Sequence, residues 1–283
     1  MSKILDQLFD AIPQLRDFHA PTDPAYGLLR MVARREIETM FAATEATPQP
    51  FGPFGALNFP YEKMGNIDSL DLFGIDELVI FAFYWANRTR YKNVLDLGAN
   101  IGLHSIVMSR AGFHVTCFEP DPRHWDWLNR NLKLNDAKSV TPVNAAVSTQ
   151  KGTMDFVRVL GNTTGSHIAG SKSNVYGGTD VFPVEVVPFA EIIQGKDFMK
   201  MDVEGHEATI LVTTDAGTWK NFDAMIEVGN EQNAAAIYEH FRKIGVALYA
   251  QKASWKKVEK LEEMPTSHRD GSLFISSRGP IHW

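Results

Sequence analysis

Asp96, Glu119, Asn144, Asp202, Glu204 and Glu227 each fall at or near the C-terminal end of an apolar, strand-like segment. In an open α/β sheet, ligands bind outside the carboxyl ends of the strands, where the strand order reverses, so polar side chains sorted to those ends are candidates for a site. Carboxylates there could bond a ligand's hydroxyls, hold a cation or take a proton from a reacting group. The ordinary alternative is that such an acid caps the following helix. At Glu119 that role already belongs to Asp121, which precedes Pro122.

The first of these strands leads into Val94-Leu95-Asp96-Leu97-Gly98-Ala99-Asn100-Ile101-Gly102-Leu103-His104-Ser105-Ile106. Gly98 and Gly102 let the backbone turn sharply and approach a ligand, and the next helix aims free N–H groups at it. This pattern suits a nucleotide cofactor, although a tight strand-to-helix connection alone would read the same way. The acids narrow the choice. Glu119 lies 23 residues after Asp96, the distance expected of an acid that bonds ribose hydroxyls, at roughly 1.5–3 kcal/mol per charge-assisted bond. A pyrophosphate such as that of NAD would meet Asp96 with no arginine in the turn to offset the repulsion. The turn is Gly98-x-Asn100-x-Gly102, not G-x-G-x-x-G. S-adenosylmethionine, with its ammonium and sulfonium, fits an acid-lined rim.

The elements that must position these residues follow from periodicity. From Val94 onward strands and helices alternate, the signature of a parallel sheet with crossovers. Strands are predicted at His114 to Phe118, Val140 to Val147, Phe198 to Val203 and Ala224 to Val228. Helices are predicted from Pro122, from Ala208 towards Val212, and over Asn233 to Ile244, ended by Gly245. Val246 to Gln251 and Ser272 to Ser276 have no helical pattern between them and should be antiparallel. Extended pieces at Gly152 to Val159 and Val181 to Phe189 bracket a polar run, 161 to 180, that reads as a lid or as disorder. Upstream, residues 3 to 18 and 24 to 43 carry helical spacing, with Asp23-Pro24 starting the second helix, and Phe51 and Phe54 in the Pro/Gly-rich linker read as anchors. Asp76 to Asn87 is a buried helix with Glu77 in its first turn. Residues 1–70 thus form an N-terminal helical extension and linker, and residues 71–283 the cofactor-binding domain.

Composition excludes several classes. A formal charge of −6 and a pI near 5.8 give no footprint for a polyanion, so no nucleic acid is expected. The longest apolar run, Leu78 to Ala86, falls far short of the roughly 20 residues of a bilayer span. No signal-peptide pattern opens the chain, and the single cysteine, Cys117, lies in an apolar stretch and reads as core, which suits a cytoplasmic location.

The set Asp96-Leu97-Gly98-Ala99-Asn100-Ile101-Gly102, Phe118-Glu119-Pro120-Asp121, Asn144-Ala145-Ala146-Val147 and Lys200-Met201-Asp202-Val203-Glu204-Gly205-His206-Glu207 resembles the FkbM-type class I methyltransferases over roughly residues 75 to 230. The resemblance implies a Rossmann-like α/β fold, a mostly parallel seven-stranded sheet with helices on both faces and an antiparallel last strand. It also implies methyl transfer from S-adenosylmethionine to a hydroxyl of a sugar or small secondary metabolite. Carried over, Asp96, Gly98 and Asn100 surround the methionine end, Glu119 holds the ribose, and Asn144 and Ala145 flank the adenine, with Gly102 and Asp202 also against the cofactor. Asp202 is the first candidate base and His206 the second, although His206 stands where many members carry a small residue; Glu204 is placed beside them. Strand alternation would put Asp202 and Glu204 on one side with Glu227 nearby, an oxygen-rich group suited to Mg²⁺ or equally to the cofactor's amino group. An RNA methyltransferase and a non-catalytic cofactor-binding module on the same fold are the alternatives. The N-terminal helices could shape the acceptor pocket or a homo-oligomer contact.

Overall fold

The computed structural model describes residues 3–43, 46–172 and 177–283. Apolar alternation builds the central sheet from β1 (Asn93–Leu97), β2 (His114–Phe118), β3 (Val140–Val143), β8 (Phe198–Met201), β9 (Asp223–Ile226), β10 (Ala247–Ala250), β11 (Lys256–Lys257) and β12 (Leu273–Ser276). Their order is β11-β10-β12-β9-β8-β1-β2-β3, with β12 antiparallel to both β9 and β10 and the run β9 to β3 parallel. This is the expected seven-stranded sheet with its last strand reversed, extended by the two-residue edge strand β11 in what reads from sequence as a plain connection.

The central strands of the sheet are buried on both faces and so are mostly apolar. Val94, Val115, Phe198, Met225 and Phe274 pack with α3 (Ile75–Ala86), α4 (Leu103–Arg110) and α5 (Pro122–Leu134). Leu95, Leu97, Met199, Met201, Ala224 and Ile226 pack on the other face with α6 (Glu207–Leu211) and α7 (Glu231–Ile244). The N-terminal helices α1 (Lys3–Ala11) and α2 (Pro24–Phe41) join the first of these cores through Leu5, Phe9, Tyr26, Ile37 and Phe41, with Phe51 and Phe54 buried beside them as anchors. Asp23 caps α2 by accepting the Ala25 N–H at 2.8 Å, while Leu28, Met31 and Val32 of that helix stay exposed. Among the described residues no helix is long and apolar enough to cross a membrane.

One expected strand, Val140 to Val147, divides. Pro142 cannot donate to a ladder and sits on the edge strand β3, the Ala145 N–H folds back to the Val143 carbonyl, and Asn144 Nδ2 donates to the Glu119 carbonyl at 2.8 Å. The chain then leaves the main sheet. As β4 (Ala146–Ser148) it enters a second sheet with β5 (Gly152–Val159), β6 (His167–Ile168) and β7 (Thr179–Pro188), in the order β6-β5-β7-β4. Ala146, Phe156, Ile168, Val184 and Val186 form its own small core. Much of the polar run expected as a lid or as disorder is therefore a turn at Thr163–Gly165 and a paired strand; residues 173–176 lie outside the described residues.

Candidate active site

Strand order reverses between β1 and β8, and the loops leaving these two strands cross there. Gly98 has φ +79°, and a Cβ on it would lie 1.8 Å from the Asp202 carbonyl oxygen. The glycine is thus demanded by the contact between the two loops, before any ligand arrives. Gly102, at φ +91°, caps α4 against Leu128. Asn100 (φ 53°) and Glu204 (φ 54°) also adopt the left-handed conformation. Asn tolerates this; for Glu204 it costs of order 1–3 kcal/mol, a strain that concentrates at functional sites.

Two chambers open on either side of the crossing and share Gly98, Asn100 and Asp202. The larger runs over the end of β2 and is lined by Phe118, Glu119, Pro120, Ala145, Val203 and Glu204. The second sheet roofs it with Phe156, Thr163, Thr164, Ser166 and Ile168. Arg158 clamps this roof to the end of β2 through two bonds to Asp121, 2.6 and 2.7 Å. His124 bonds Thr163 Oγ1 at 2.9 Å and is kept neutral, its pKa lowered to about 4 by burial. Glu119 accepts the N–H groups of Asn100 (2.8 Å) and Asp121 (2.9 Å). Burial first, then the nearby carboxylates of Asp121 and Asp96, push its carboxyl up to about 8, against those two hydrogen bonds. Each oxygen keeps a lone pair for a further donor.

The smaller chamber lies on the α3 side and is lined by Leu72, Glu77, Ala99, Leu103, His104 and Lys200 besides the shared residues. Lys200 is in register with Asp96 on the strand face that meets α3 and α4. Burial alone would lower the Lys200 pKa, but Asp202, Asp96, Glu77 and Glu227 raise it, so it stays charged. His104 links Tyr84, 2.9 Å from Nδ1, to Glu77, 2.8 Å from Nε2. Burial would raise Glu77, yet His104 and Lys200 hold it below the usual carboxylate range. Asp96 accepts from Ser105 Oγ at 2.5 Å, and its other oxygen is buried without a hydrogen-bond partner, as is Asn100 Oδ1.

Several expected residues stand elsewhere. Asn144 is turned back onto the backbone and lines neither chamber; Ala145 takes the cavity side. His206 is buried between Ser148 Oγ (2.8 Å) and Ser171 Oγ (3.0 Å), lines neither chamber, and has its pKa lowered by burial. The grouping of Asp202, Glu204 and Glu227 for Mg²⁺ is not formed: among the described residues no three His, Cys, Asp or Glu side chains are arranged to hold a metal ion. The reason is local. β8 ends at Met201, so strand alternation no longer applies at Glu204, which turns through the left-handed region to pair with Lys172. Glu207 is also spoken for, since it accepts from Val203, Gly205 and Asn233 and ties the loop to α7. Sequence reasoning missed the roof residues and Lys200. The roof carries no motif, whereas a lysine inside the apolar strand Phe198-Met199-Lys200-Met201 was a readable signal.

A crevice at a strand-order reversal, rimmed by acids and holding unpaired buried acceptors, matches a nucleoside that carries positive charge, and the residues present fit S-adenosylmethionine better than a pyrophosphate. The FkbM methyltransferase domain matches residues 96–250, more than half of the chain, and the protein belongs to that family. The chain is similar to the methyltransferase sdnD of Sordaria araneosa, 31% identical over 170 residues that cover 48% of this chain and 65% of that protein, so it spans under two thirds of the relative's length. Among solved structures it is similar to an O-methyltransferase from Bacillus cereus in complex with SAH (10% identity, 69% of this chain and 78% of that one, TM-score 0.37). Another is the O-methyltransferase TomG from Streptomyces achromogenes (11% identity, 69% and 78% covered, TM-score 0.37).

Proposed function

We propose that the protein uses S-adenosylmethionine to methylate a hydroxyl of a sugar or small secondary metabolite. The observation that carries this reading is that Glu119 lines one of the two chambers at the Gly98 crossing and Asp202 lines both, while Asp96 is buried behind the turn and lines neither. Membership of the methyltransferase family and likeness to sdnD support it. Glu119 receives the ribose hydroxyls, and Ala145 with Phe156 encloses the adenine. Bound there, the cofactor supplies an electrophilic methyl group. Asp202, shared by both chambers and partly exposed, is the base that takes the acceptor's hydroxyl proton while the site holds that oxygen about 3 Å from the methyl carbon, in line with the bond that breaks. His206, fixed by two serines, keeps the loop after β8 in place.

Thermal shift tests the cofactor first, because a ligand selective for the folded state raises stability with the logarithm of its concentration. S-adenosylhomocysteine should stabilise and NAD should not; the reverse pattern would overturn the reading. A transfer screen over hydroxylated sugars and metabolites then tests the acceptor. With an acceptor in hand, Asp202→Asn should retain cofactor binding and lose about 100-fold or more in turnover; undiminished turnover would remove Asp202 as base.

A further inference from the structure

A hairpin in the linker bears on the roof of the larger chamber. Lys63–Met64 pairs antiparallel with Ile67–Asp68 around a two-residue turn, Gly65-Asn66. Gly65 has φ +91° and comes first in the turn, where a tight hairpin calls for glycine. The tip rests on backbone. A Cβ on Gly65 would lie 2.5 Å from both atoms of the Gly161 carbonyl, Asn66 donates its N–H to that carbonyl at 2.7 Å, and Gly65 forms a β-bridge with Asn162. Gly161 and Asn162 lead into the turn that brings Thr163, Thr164 and Ser166 to the chamber. Asn162 Oδ1 stiffens that turn by accepting from the Thr164 N–H at 3.2 Å and from its Oγ1 at 2.7 Å. The base of the hairpin is fixed separately. Tyr61 donates to Asp68 at 3.0 Å, and Asp68 with Asp71 forms a capping box on the turn Ser69–Phe73. Glu62 pairs with Arg130 of α5 at 2.6 Å and Asp71 with Arg34 of α2 at 2.8 Å.

We propose that this hairpin is a clasp: its tip holds Thr163 and Thr164 over a nucleoside bound in the larger chamber, and the nucleoside leaves when the contact between Gly65 and Gly161 parts. The role in release rests on the S-adenosylmethionine reading above. A hydrogen bond and a close backbone contact at a tip can part without unfolding the sheet behind them, whereas the anchored base returns the tip to its seat. Gly65 and Asn66 are positioning residues, acting through the roof turn. They lie upstream of the family-matched residues 96–250, and add a support from the linker to those that His124 and Arg158 give the roof from within that segment.

Hydrogen exchange of the ligand-free protein tests the support without any ligand. Gly65→Ala, which drives the tip off the roof, should speed exchange of the Thr164 to Ser166 amides by about tenfold or more. Asn66→Pro, which removes only the donor, should speed it by roughly two- to tenfold, the worth of one hydrogen bond. Amides of α7 should be unchanged in both. Unchanged exchange at the roof turn in both variants would overturn the clasp. Stopped-flow release of S-adenosylhomocysteine, and of 5′-methylthioadenosine, which lacks the amino-acid end, tests its role. Both ligands should leave faster by similar factors, with association within about threefold of wild type, because the clasp acts on the nucleoside they share. Acceleration confined to S-adenosylhomocysteine, or none, would overturn the role. Ile37→Ala, in the core of α2, lowers stability away from the roof and should leave release unchanged; an equal acceleration there would mean general loosening and would also overturn it. Failure of the wild-type protein to bind either ligand would instead overturn the cofactor reading, with the support itself still decided by the exchange rates.

Discussion

The two chambers share a wall and differ in almost everything else. The larger chamber mixes apolar and hydroxyl side chains with Glu119, Glu204 and the shared Asp202, under a roof contributed by a separate small sheet. The chamber under α3 is charged and lies against the central sheet itself, with Lys200 supplied by β8. The difference shows how a single turn can border two spaces of unlike polarity. An adenosine needs flat apolar enclosure and a few hydrogen bonds, whereas a charged tail needs desolvated partners held rigidly, which a packed sheet face supplies and a mobile loop would not.

Breaking the shared wall should have the largest effect. Gly98→Ala forces a Cβ to 1.8 Å from the Asp202 carbonyl at a φ that alanine resists. We expect about 3 kcal/mol or more of lost stability in urea unfolding, and loss of binding for both S-adenosylhomocysteine and methylthioadenosine. Glu119→Gln should act on the nucleoside side only. Above pH 8, where Glu119 is ionised, both ligands should weaken together, by roughly ten- to hundredfold from the loss of charge-assisted ribose bonds.

A smaller effect separates the chambers by pH. Burial, before any other cause, raises Glu119 to about 8 and Glu204 and Glu207 to about 7, so the folded protein retains protons that the unfolded chain has released. Stability from these groups is present at low pH and is lost as pH rises towards 8. The buried histidines His19 and His124, lowered to about 4 by burial, act oppositely only below about pH 6.5. Urea unfolding of the ligand-free protein should therefore show a decline from pH 6.5 to 8, flattened in Glu119→Gln. The smallest change concerns the Lys172–Glu204 pair, which is partly exposed and latches the roof side to the crossing. Lys172→Ala should cost about 1 kcal/mol or less and shift cofactor affinity less than about fivefold.

Much of this could be read from the chain. Alternating apolar segments dictate a parallel sheet because each strand is buried on two faces, and the acids that punctuate those segments mark the carboxyl edge. Asp23, Asp121 and Gly245 announce their helix ends through local chemistry that needs no distant partner. Glu77 stood out as a charge in an apolar helix, but nothing local says that it meets His104 from another helix. The division of the third strand at Asn144, the second sheet and the turning of Glu204 onto Lys172 were decided only in three dimensions. The physical reason is the same in each case. Periodicity and capping act within a few residues, whereas a backbone leaving one sheet for another, or a carboxylate turning from a neighbour towards Lys172, is settled by contacts between segments far apart in sequence.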